Sequence, residues 1–443
     1  MATYYAINDY SESPKLTRIA SLVLAGNLAG FLTASYLPGA LGVDHRIITI
    51  PFRAGMLFLL LYAFYRIVTV AKLRLTISTT SILLIFFWTA YCLRFIFDVG
   101  FLQVPVPTPP GPGEMTLFLF AITLPTFVVS YLFKDIRSYK KALMWVMLAL
   151  GICCGISLRT ASSLESSSTG GRNMGNDILN HIGYGHMGTT AVILGLFVVL
   201  QIGSVRRPWY LRLLGGVIVC LGAYTILAAA SRGALIAALL LVPVALYLGL
   251  RRGSKGLTIA ICLVLGFVLS ASAAYLTEHG VDLTRSLTSA SAYSAADNSV
   301  WTRQNLFRDA WREYLEHPLV GSSLVETNSQ TYPHNIIIEG FMTIGTFGGA
   351  ALVLLILISL WRAMWILIRA PEMAWIPLCF LQHLIGCMFS GGIWGNTVMW
   401  GMMGVVLGVD LPERVWNNPK DEVRLTAANV NLDLLRGSSP ISK

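Results

Sequence analysis

The sequence predicts an all-α polytopic membrane protein with about twelve transmembrane helices. Of its 443 residues, 55% are hydrophobic and only 12% are charged, and the mean hydropathy is +0.67. A soluble chain carries about 25% charged residues, whereas a chain in lipid must be apolar on its outer surface as well. This composition excludes a soluble enzyme. The net charge of +10 therefore indicates an orientation in the membrane rather than a nucleic-acid partner.

Apolar runs of the length that crosses a bilayer, about 17 to 25 residues, recur along the chain. They lie near 16–37, 52–71, 78–98, 115–133, 141–158, 184–203, 211–230, 233–250, 256–276, 346–368, 374–390 and 394–410. We expect nine N-terminal transmembrane helices in 1–276, a large periplasmic loop in 277–335, C-terminal transmembrane helices in 336–410 and a cytoplasmic tail in 411–443.

The distribution of lysine and arginine predicts the orientation, because these residues accumulate in cytoplasmic loops. With both termini in the cytoplasm, most of the 32 basic residues and every lysine lie inside. The outer cations are all arginine: Arg46, Arg53, Arg94, Arg159, Arg172, Arg232, Arg285, Arg303, Arg308 and Arg312. Arginine binds phosphate oxygens better than lysine does, although selection against outer lysine explains the same bias.

The segment 277–335 is far longer than the usual helix connection of about 2 to 8 residues, and loops of this size are usually functional. Within it, 299–316 has the periodicity of an amphipathic helix. Arg303 falls among the apolar residues of this helix. A charge on a packed face is costly unless it meets an anion or a polar cavity, so Arg303 is a candidate site residue.

Two short motifs at the predicted outer boundary place polar side chains on helix ends. Ser231-Arg232-Gly233 forms a tight turn between two apolar runs, and Tyr332-Pro333-His334-Asn335 precedes the next apolar run. Pro333 predicts a helix start with His334 in the first turn. The helix dipole there keeps imidazole neutral, as a general base requires. A snorkelling arginine and an ordinary boundary histidine remain the structural alternatives.

Several chemistries lack their motifs in this sequence. It contains no Asp-x-Asp pair, no Gly-x-x-x-x-Gly-Lys loop, no His-Glu-x-x-His and no Gly-x-Ser-x-Gly, which argues against ATP hydrolysis, zinc proteolysis and serine esterase chemistry. His181 and His186 lack a third ligand nearby, so we interpret them as structural. Arg94 and Asp98, four residues apart, are expected to neutralise each other. We expect no metal and no cofactor.

The motifs resemble the signature of the O-antigen ligase and polymerase superfamily. Their order and spacing carry the resemblance, which spans roughly 184–348. The matching residues are Ser231-Arg232-Gly233, Arg303, His317-Pro318-Leu319, Gly321, Pro333-His334-Asn335, Glu339, Gly345 and Gly348.

The resemblance implies a glycosyltransferase of the inner membrane of Gram-negative bacteria, working at the periplasmic face. The donor would be O-antigen on undecaprenyl pyrophosphate and the acceptor a sugar of lipid A-core, with membrane lipids as surroundings and no nucleic-acid partner. By the resemblance, Arg232 and Arg303 would bind the pyrophosphate and His334 would activate the acceptor hydroxyl.

Further site residues are expectations of lower specificity. The candidate substrate-binding residues are Asn335, Arg46, Arg53, Arg159 and Tyr332. Many members of the superfamily carry an acid nine residues after the histidine, whereas this chain has Thr343 there and its acid at Glu339. The role of Glu339 therefore stays open.

Three alternative functions share most of these features. An O-antigen polymerase or a protein O-oligosaccharyltransferase of the same superfamily would differ in the acceptor alone. A lipid-glycan transporter would place its polar site near the bilayer midplane, often at repeated broken helices, whereas here the notable residues cluster at one predicted surface and no repeat is evident.

Overall fold

The computed structural model describes residues 14–70, 78–102, 104, 111–134, 136–161, 181–202, 207–251, 255–278 and 298–410. The secondary-structure elements in these ranges are all helices, with no β-strand element among them, which confirms the all-α prediction. The described ranges exclude 279–297 of the predicted outer loop and the predicted tail 411–443.

Ten helices in the described part of the chain are long and apolar enough to cross a membrane. The first nine are α1 (Lys15–Pro38), α2 (His45–Thr69), α3 (Thr79–Phe101), α4 (Pro112–Leu132), α5 (Lys140–Leu158), α6 (His181–Val199), α7 (Trp209–Ala229), α8 (Arg232–Arg251) and α9 (Lys255–Glu278). They are followed by α10 (Asn298–Glu316), the long α11 (Ile336–Arg369) and two shorter apolar helices, α12 (Trp375–Cys387) and α13 (Thr397–Gly408). The chain is a multi-pass membrane protein.

The last two predicted spans are shorter than the sequence indicates. Helices α12 and α13 have 13 and 12 residues, so at 1.5 Å per residue they extend about 20 Å and 18 Å, less than the hydrocarbon core of about 30 Å. Both are largely buried, and the residues between them are irregular. Irregular backbone is tolerated at membrane depth where protein covers it, and hydropathy cannot distinguish protein from lipid as the apolar neighbour.

Helix α11 begins ten residues before the apolar run that predicts it and is kinked near its start. Ile344 and Gly345 have non-helical backbone angles, with φ +67° and ψ −168° at Gly345. A Cβ on Gly345 would collide with the carbonyl group of Leu319, and Thr346 donates its backbone N–H to the carbonyl of Pro318 at 2.7 Å. The segment that follows α10 therefore packs against the kink in α11.

Helix α6 lies at the centre of the bundle. In its apolar window 89% of the residues are buried, against 11% in α9. Glycines allow α6 and α7 to approach closely, because a Cβ on Gly188 would lie 2.7 Å from the carbonyl oxygen of Gly222. Close contact through small residues is the usual way in which membrane helices associate. It fixes α6, whose first turns reach the site described next.

Candidate active site

Arg232 is held at a tight junction between two helices. Helix α7 ends at Ala229, Ala230 adopts a left-handed conformation with φ +44°, and α8 begins at Arg232 itself. The turn is therefore as short as the sequence predicts. A cation at a helix N-terminus lies at the positive end of the helix dipole, so an anion bound there would be favoured by both charges.

Arg232 and Arg303 line the same pocket, which encloses about 410 Å³ including its open mouth. They come from different elements, since Arg303 belongs to α10. Besides these two arginines the wall is made by His181, Ile182, His186, Ala230, Ser231, Gly233, Gly386, Phe389 and Ser390. The tertiary structure thus brings together two of the three residues that were predicted to be catalytic.

The third residue, His334, lies within electrostatic reach of Arg303. Burial, and secondly the positive charge of Arg303, lower the pKa of His334 to about 4, so its imidazole is neutral at neutral pH. Within the described residues, Nδ1 of His334 is buried and has no hydrogen-bond partner. A neutral ring with an unused nitrogen has the properties of a proton acceptor.

The prediction that His334 lies in the first helical turn is wrong. Asn335 is the N-cap of α11, accepting from the backbone N–H groups of Ile337 and Ile338, and the helix begins at Ile336. His334 precedes the cap with φ +59°. Its low pKa thus comes from burial and Arg303. The sequence left two choices for the helix start, because Pro333 is typical of the first helical position and Asn335 is typical of the N-cap.

The predicted substrate-binding residues occupy different surroundings. The ring of Tyr332 contacts the ring of His334 edge-on, with 4.6 Å between the ring centroids. The side-chain amide of Asn335 caps α11 and also donates to the carbonyl of Met388 at 3.2 Å. This places Tyr332 beside the imidazole and gives Asn335 a role in holding the helix start.

Two of the arginines that were predicted to bind substrate, Arg46 and Arg53, do not line the pocket. Arg46 is exposed. Arg53 pairs with Glu114 at 3.5 Å and lies over the rings of Phe31 and Phe118. Neither belongs to the described residues that line the pocket. The side chain of Arg159 lies outside the described residues.

Glu339 holds the segment between α12 and α13 in place. Its buried carboxylate accepts the backbone N–H of Ile393 at 2.9 Å and 3.0 Å, one distance to each oxygen, and the hydroxyl of Tyr91 donates to it at 3.4 Å. The next residue, Trp394, meets the ring of Tyr332 at 6.2 Å. Glu339 is therefore connected to His334 through two ring contacts, which its position in the sequence does not reveal.

Asp98 fastens the segment between α10 and α11 to α3. It pairs with Arg94 at 2.9 Å, and its buried carboxylate also accepts the backbone N–H of Leu324 at 2.8 Å. Glu313 holds the same loop from α10, accepting from the hydroxyl of Ser322 and the backbone N–H of Thr327. These bonds restrain the chain that leads from Arg303 to His334.

Sequence reasoning missed His186 as a pocket residue. The spacing of His181 and His186 was interpreted only as a possible metal pair. The described ranges contain no group of three or more His, Cys, Asp or Glu that could hold a metal ion. The structure places both histidines in the pocket wall. The available signal was the position of both residues at the start of an apolar run, next to the predicted outer boundary.

Together, the fold and the pocket define a multi-pass membrane protein with a cationic pocket close to a neutral histidine. Residues 217–353 match the family model described as O-antigen ligase, a range that includes Arg232, Arg303 and His334. The match confirms the resemblance to the O-antigen ligase superfamily, whose members are glycosyltransferase-like enzymes. No curated protein matches the chain.

Proposed function

We propose that the protein is an O-antigen ligase of the bacterial inner membrane. It transfers a glycan from undecaprenyl pyrophosphate to a sugar of lipid A-core at the periplasmic face. The observation that carries this proposal is the pocket shared by Arg232 and Arg303, together with the effect of Arg303 on His334. The excess of basic residues in the predicted inner loops supports a periplasmic pocket.

The free energy for the new glycosidic bond must come from a bond in the donor itself, because the periplasm has no ATP or nucleotide sugar. A sugar on a lipid diphosphate meets this need, since the bond to the leaving diphosphate is already activated. The polyprenyl tail can lie in the bilayer while the anionic head enters the pocket. Two guanidinium groups there stabilise the negative charge that develops on the leaving group.

The reaction is a single displacement that inverts the anomeric carbon. The acceptor hydroxyl oxygen attacks this carbon, the bond to the diphosphate oxygen breaks, and its electron pair leaves with the diphosphate. The hydroxyl proton passes to a ring nitrogen of His334. Arg232 and Arg303 hold the departing anion, so the residues themselves supply the electrostatic stabilisation and no metal is required.

Donor binding also strengthens the base. The positive charge of Arg303 opposes protonation of His334. A diphosphate bound between the arginines offsets this charge, so the pKa of His334 rises when the donor is present. The imidazole therefore gains proton affinity at the step that needs it.

The test is glycan transfer by the purified full chain in the presence of EDTA. Loss of at least 100-fold in rate is expected for Arg232→Ala, Arg303→Ala and His334→Ala, since each removes a group that acts in the transition state. Arg312→Ala is the matched control, because Arg312 lies exposed on the same helix as Arg303. Dependence on a metal, or full activity in the three variants, would overturn the mechanism.

The acceptor is decided in a deletion strain. Loss of all long glycan from the core, with lipid-linked polymer accumulating, is expected for a ligase. A core that carries a single repeat would instead identify a polymerase. Intact lipopolysaccharide, together with proteins that have lost their O-linked glycan, would identify a protein O-oligosaccharyltransferase.

A further inference from the structure

His186 is a buried polar side chain whose ring nitrogens are unused. It lies on α6 with 8% of its surface exposed, and in the described part of the chain neither Nδ1 nor Nε2 has a hydrogen-bond partner. Leaving a buried donor unsatisfied costs about 1 to 3 kcal/mol, and such groups in folded proteins call for an explanation such as a bound ion or ligand.

The ring of His186 forms part of the wall of the arginine pocket. Its Nε2 faces two glycines of that wall, since a Cβ on Gly386 would lie 2.7 Å from this nitrogen and a Cβ on Gly233 would lie 3.9 Å from it. Nε2 therefore packs against the backbone of Gly386 and lies near Gly233, which directly follows Arg232 at the start of α8.

The backbone that carries His186 is firmly held. The side-chain amide of Gln382 donates to the carbonyl of His186 at 2.8 Å, and the hydroxyl of Thr190 donates to the same carbonyl at 3.0 Å. Gln382 and Thr190 also bond to each other. The backbone at His186 is thus fixed by a network that joins α6 to α12.

The described residues of the pocket wall include no aspartate or glutamate. The wall combines two guanidinium groups, the hydroxyls of Ser231 and Ser390, and the imidazole of His186. All of these can donate hydrogen bonds. Hydrogen-bond donors and positive charge on the described part of the wall suit an anion with several oxygens.

We propose that His186 donates its Nε2–H to a phosphate oxygen of a bound diphosphate. His186 would then be a third residue of the diphosphate site beside Arg232 and Arg303. This inference rests on the proposed function for the identity of the donor, a diphosphate on a polyprenyl chain. The hydrogen bond orients the diphosphate at the inner wall of the pocket.

Titration calorimetry of the full chain in nanodiscs tests this role with two probes, inorganic pyrophosphate and undecaprenyl pyrophosphate. His186→Phe keeps a ring but removes both nitrogens, and we expect it to weaken binding of both probes by about tenfold, as loss of a hydrogen bond to a charged group implies. His186→Gln can place an amide N–H near the position of Nε2 and should recover most of the affinity.

His383→Phe is the matched control. His383 is a half-buried histidine whose ring centroid lies 6.0 Å from that of His186, and it is not among the described residues that line the pocket. We expect its affinity for both probes to equal that of the wild type. Equal affinities of His186→Phe and wild type for both probes would overturn the proposal.

A second measurement covers the case in which His186→Phe does not fold. In the protein labelled with 15N-histidine, the Nε2 resonance of His186 is identified as the one that is absent from the spectrum of His186→Gln. Adding pyrophosphate to the wild-type protein should shift this resonance. An unchanged resonance at saturating pyrophosphate would overturn the proposal without reference to the phenylalanine variant.

The two probes also separate this inference from the proposed function. An effect of His186→Phe on pyrophosphate alone would indicate a site for free phosphate and overturn the role in donor binding. Binding that depends on His186, in a wild-type chain that transfers no glycan, would overturn the proposed function while the diphosphate site stands.

Discussion

His334 occupies a backbone conformation that few residues other than glycine adopt. Its φ of +59° lies in the left-handed region, which costs about 1 to 2 kcal/mol for a residue with a Cβ. Buried Pro333 precedes it and the cap formed by Asn335 follows it, so the neighbours hold the conformation in place. Strain of this kind concentrates at functional sites.

The low pKa of His334 predicts the pH dependence of transfer. Its pKa is lowered from 6.5 to about 4, so the neutral base persists until the pH falls towards 4 and is lost below it. We expect kcat/KM, which reports groups of the free enzyme, to fall on the acid side near pH 4. The acid limb of kcat should lie at higher pH, because the bound donor offsets the charge of Arg303. An acid limb of kcat/KM near 6.5 would contradict the effect of burial.

Glu339 is expected to act by positioning Trp394 and Tyr332 beside His334. In Glu339→Ala the buried N–H of Ile393 loses its acceptor, which costs about 1 to 3 kcal/mol of stability. We expect kcat to fall by at least tenfold while the affinity for pyrophosphate stays within twofold, because the arginine pocket does not include Glu339.

Two variants accompany this measurement. Glu339→Gln keeps one acceptor oxygen for Ile393 and should restore a substantial part of kcat. Glu278→Gln changes an exposed acid at the end of α9 and should behave as the wild type. Loss of pyrophosphate affinity in Glu339→Ala would show that the carboxylate acts on the donor site instead.

At the scale of elements, the site depends on how α10 is attached to α11. The rings of Trp311 and Tyr314 pack against Phe341, and the hydroxyl of Tyr314 lies 3.0 Å from that of Thr346. The turn after α10 fits the kink at Gly345. Because Arg303 belongs to α10 and His334 precedes α11, these contacts determine whether the two side chains meet.

Gly345→Ala should therefore separate α10 from α11. The backbone angles at Gly345 are accessible almost only to glycine, which costs about 1 to 3 kcal/mol, and the added methyl group collides with the carbonyl of Leu319. We expect a lower midpoint of thermal unfolding, faster proteolysis between α10 and α11, and a loss of transfer of at least tenfold.

Gly55→Ala provides the comparison for this variant. Gly55 lies within α2, and a Cβ there meets nothing within 4 Å, so alanine should preserve or slightly raise stability. Equal unfolding midpoints for the two variants would contradict the role of the kink.

At the scale of the whole molecule, one central helix supports the pocket. Helix α6 is surrounded by protein, whereas α9 is exposed along most of its length, as expected for a helix in contact with lipid. The pocket draws its wall from the start of α6, the α7–α8 turn, α10 and the end of α12. The site therefore depends on how these elements pack against one another.

The positive-inside rule predicts that the pocket faces the periplasm, and labelling tests this orientation. Glu316→Cys, at the end of α10, should react with a membrane-impermeant maleimide in intact cells after outer-membrane permeabilisation. Glu372→Cys, between α11 and α12, should react only after the inner membrane is opened. The parent protein, with its native cysteines, measures the background, and the reverse pattern would place the pocket in the cytoplasm.

The sequence alone determined the class of the molecule and its candidate chemistry. Apolar runs mark the spans because lipid tolerates little else. Arg232, Arg303 and His334 are recognisable because a charge or an imidazole at a helix boundary is conspicuous in such a composition.

Only the tertiary structure decided which of these residues meet. Arg303 reaches the pocket of Arg232 because α10 docks on α11, whereas Arg53 pairs with Glu114 elsewhere. The sequence also did not predict that α12 and α13 are short or that Glu339 accepts the backbone N–H of Ile393. It did not predict that His186 lines the pocket either. Each depends on partners far away in the chain, and periodicity along a sequence carries no information about such contacts.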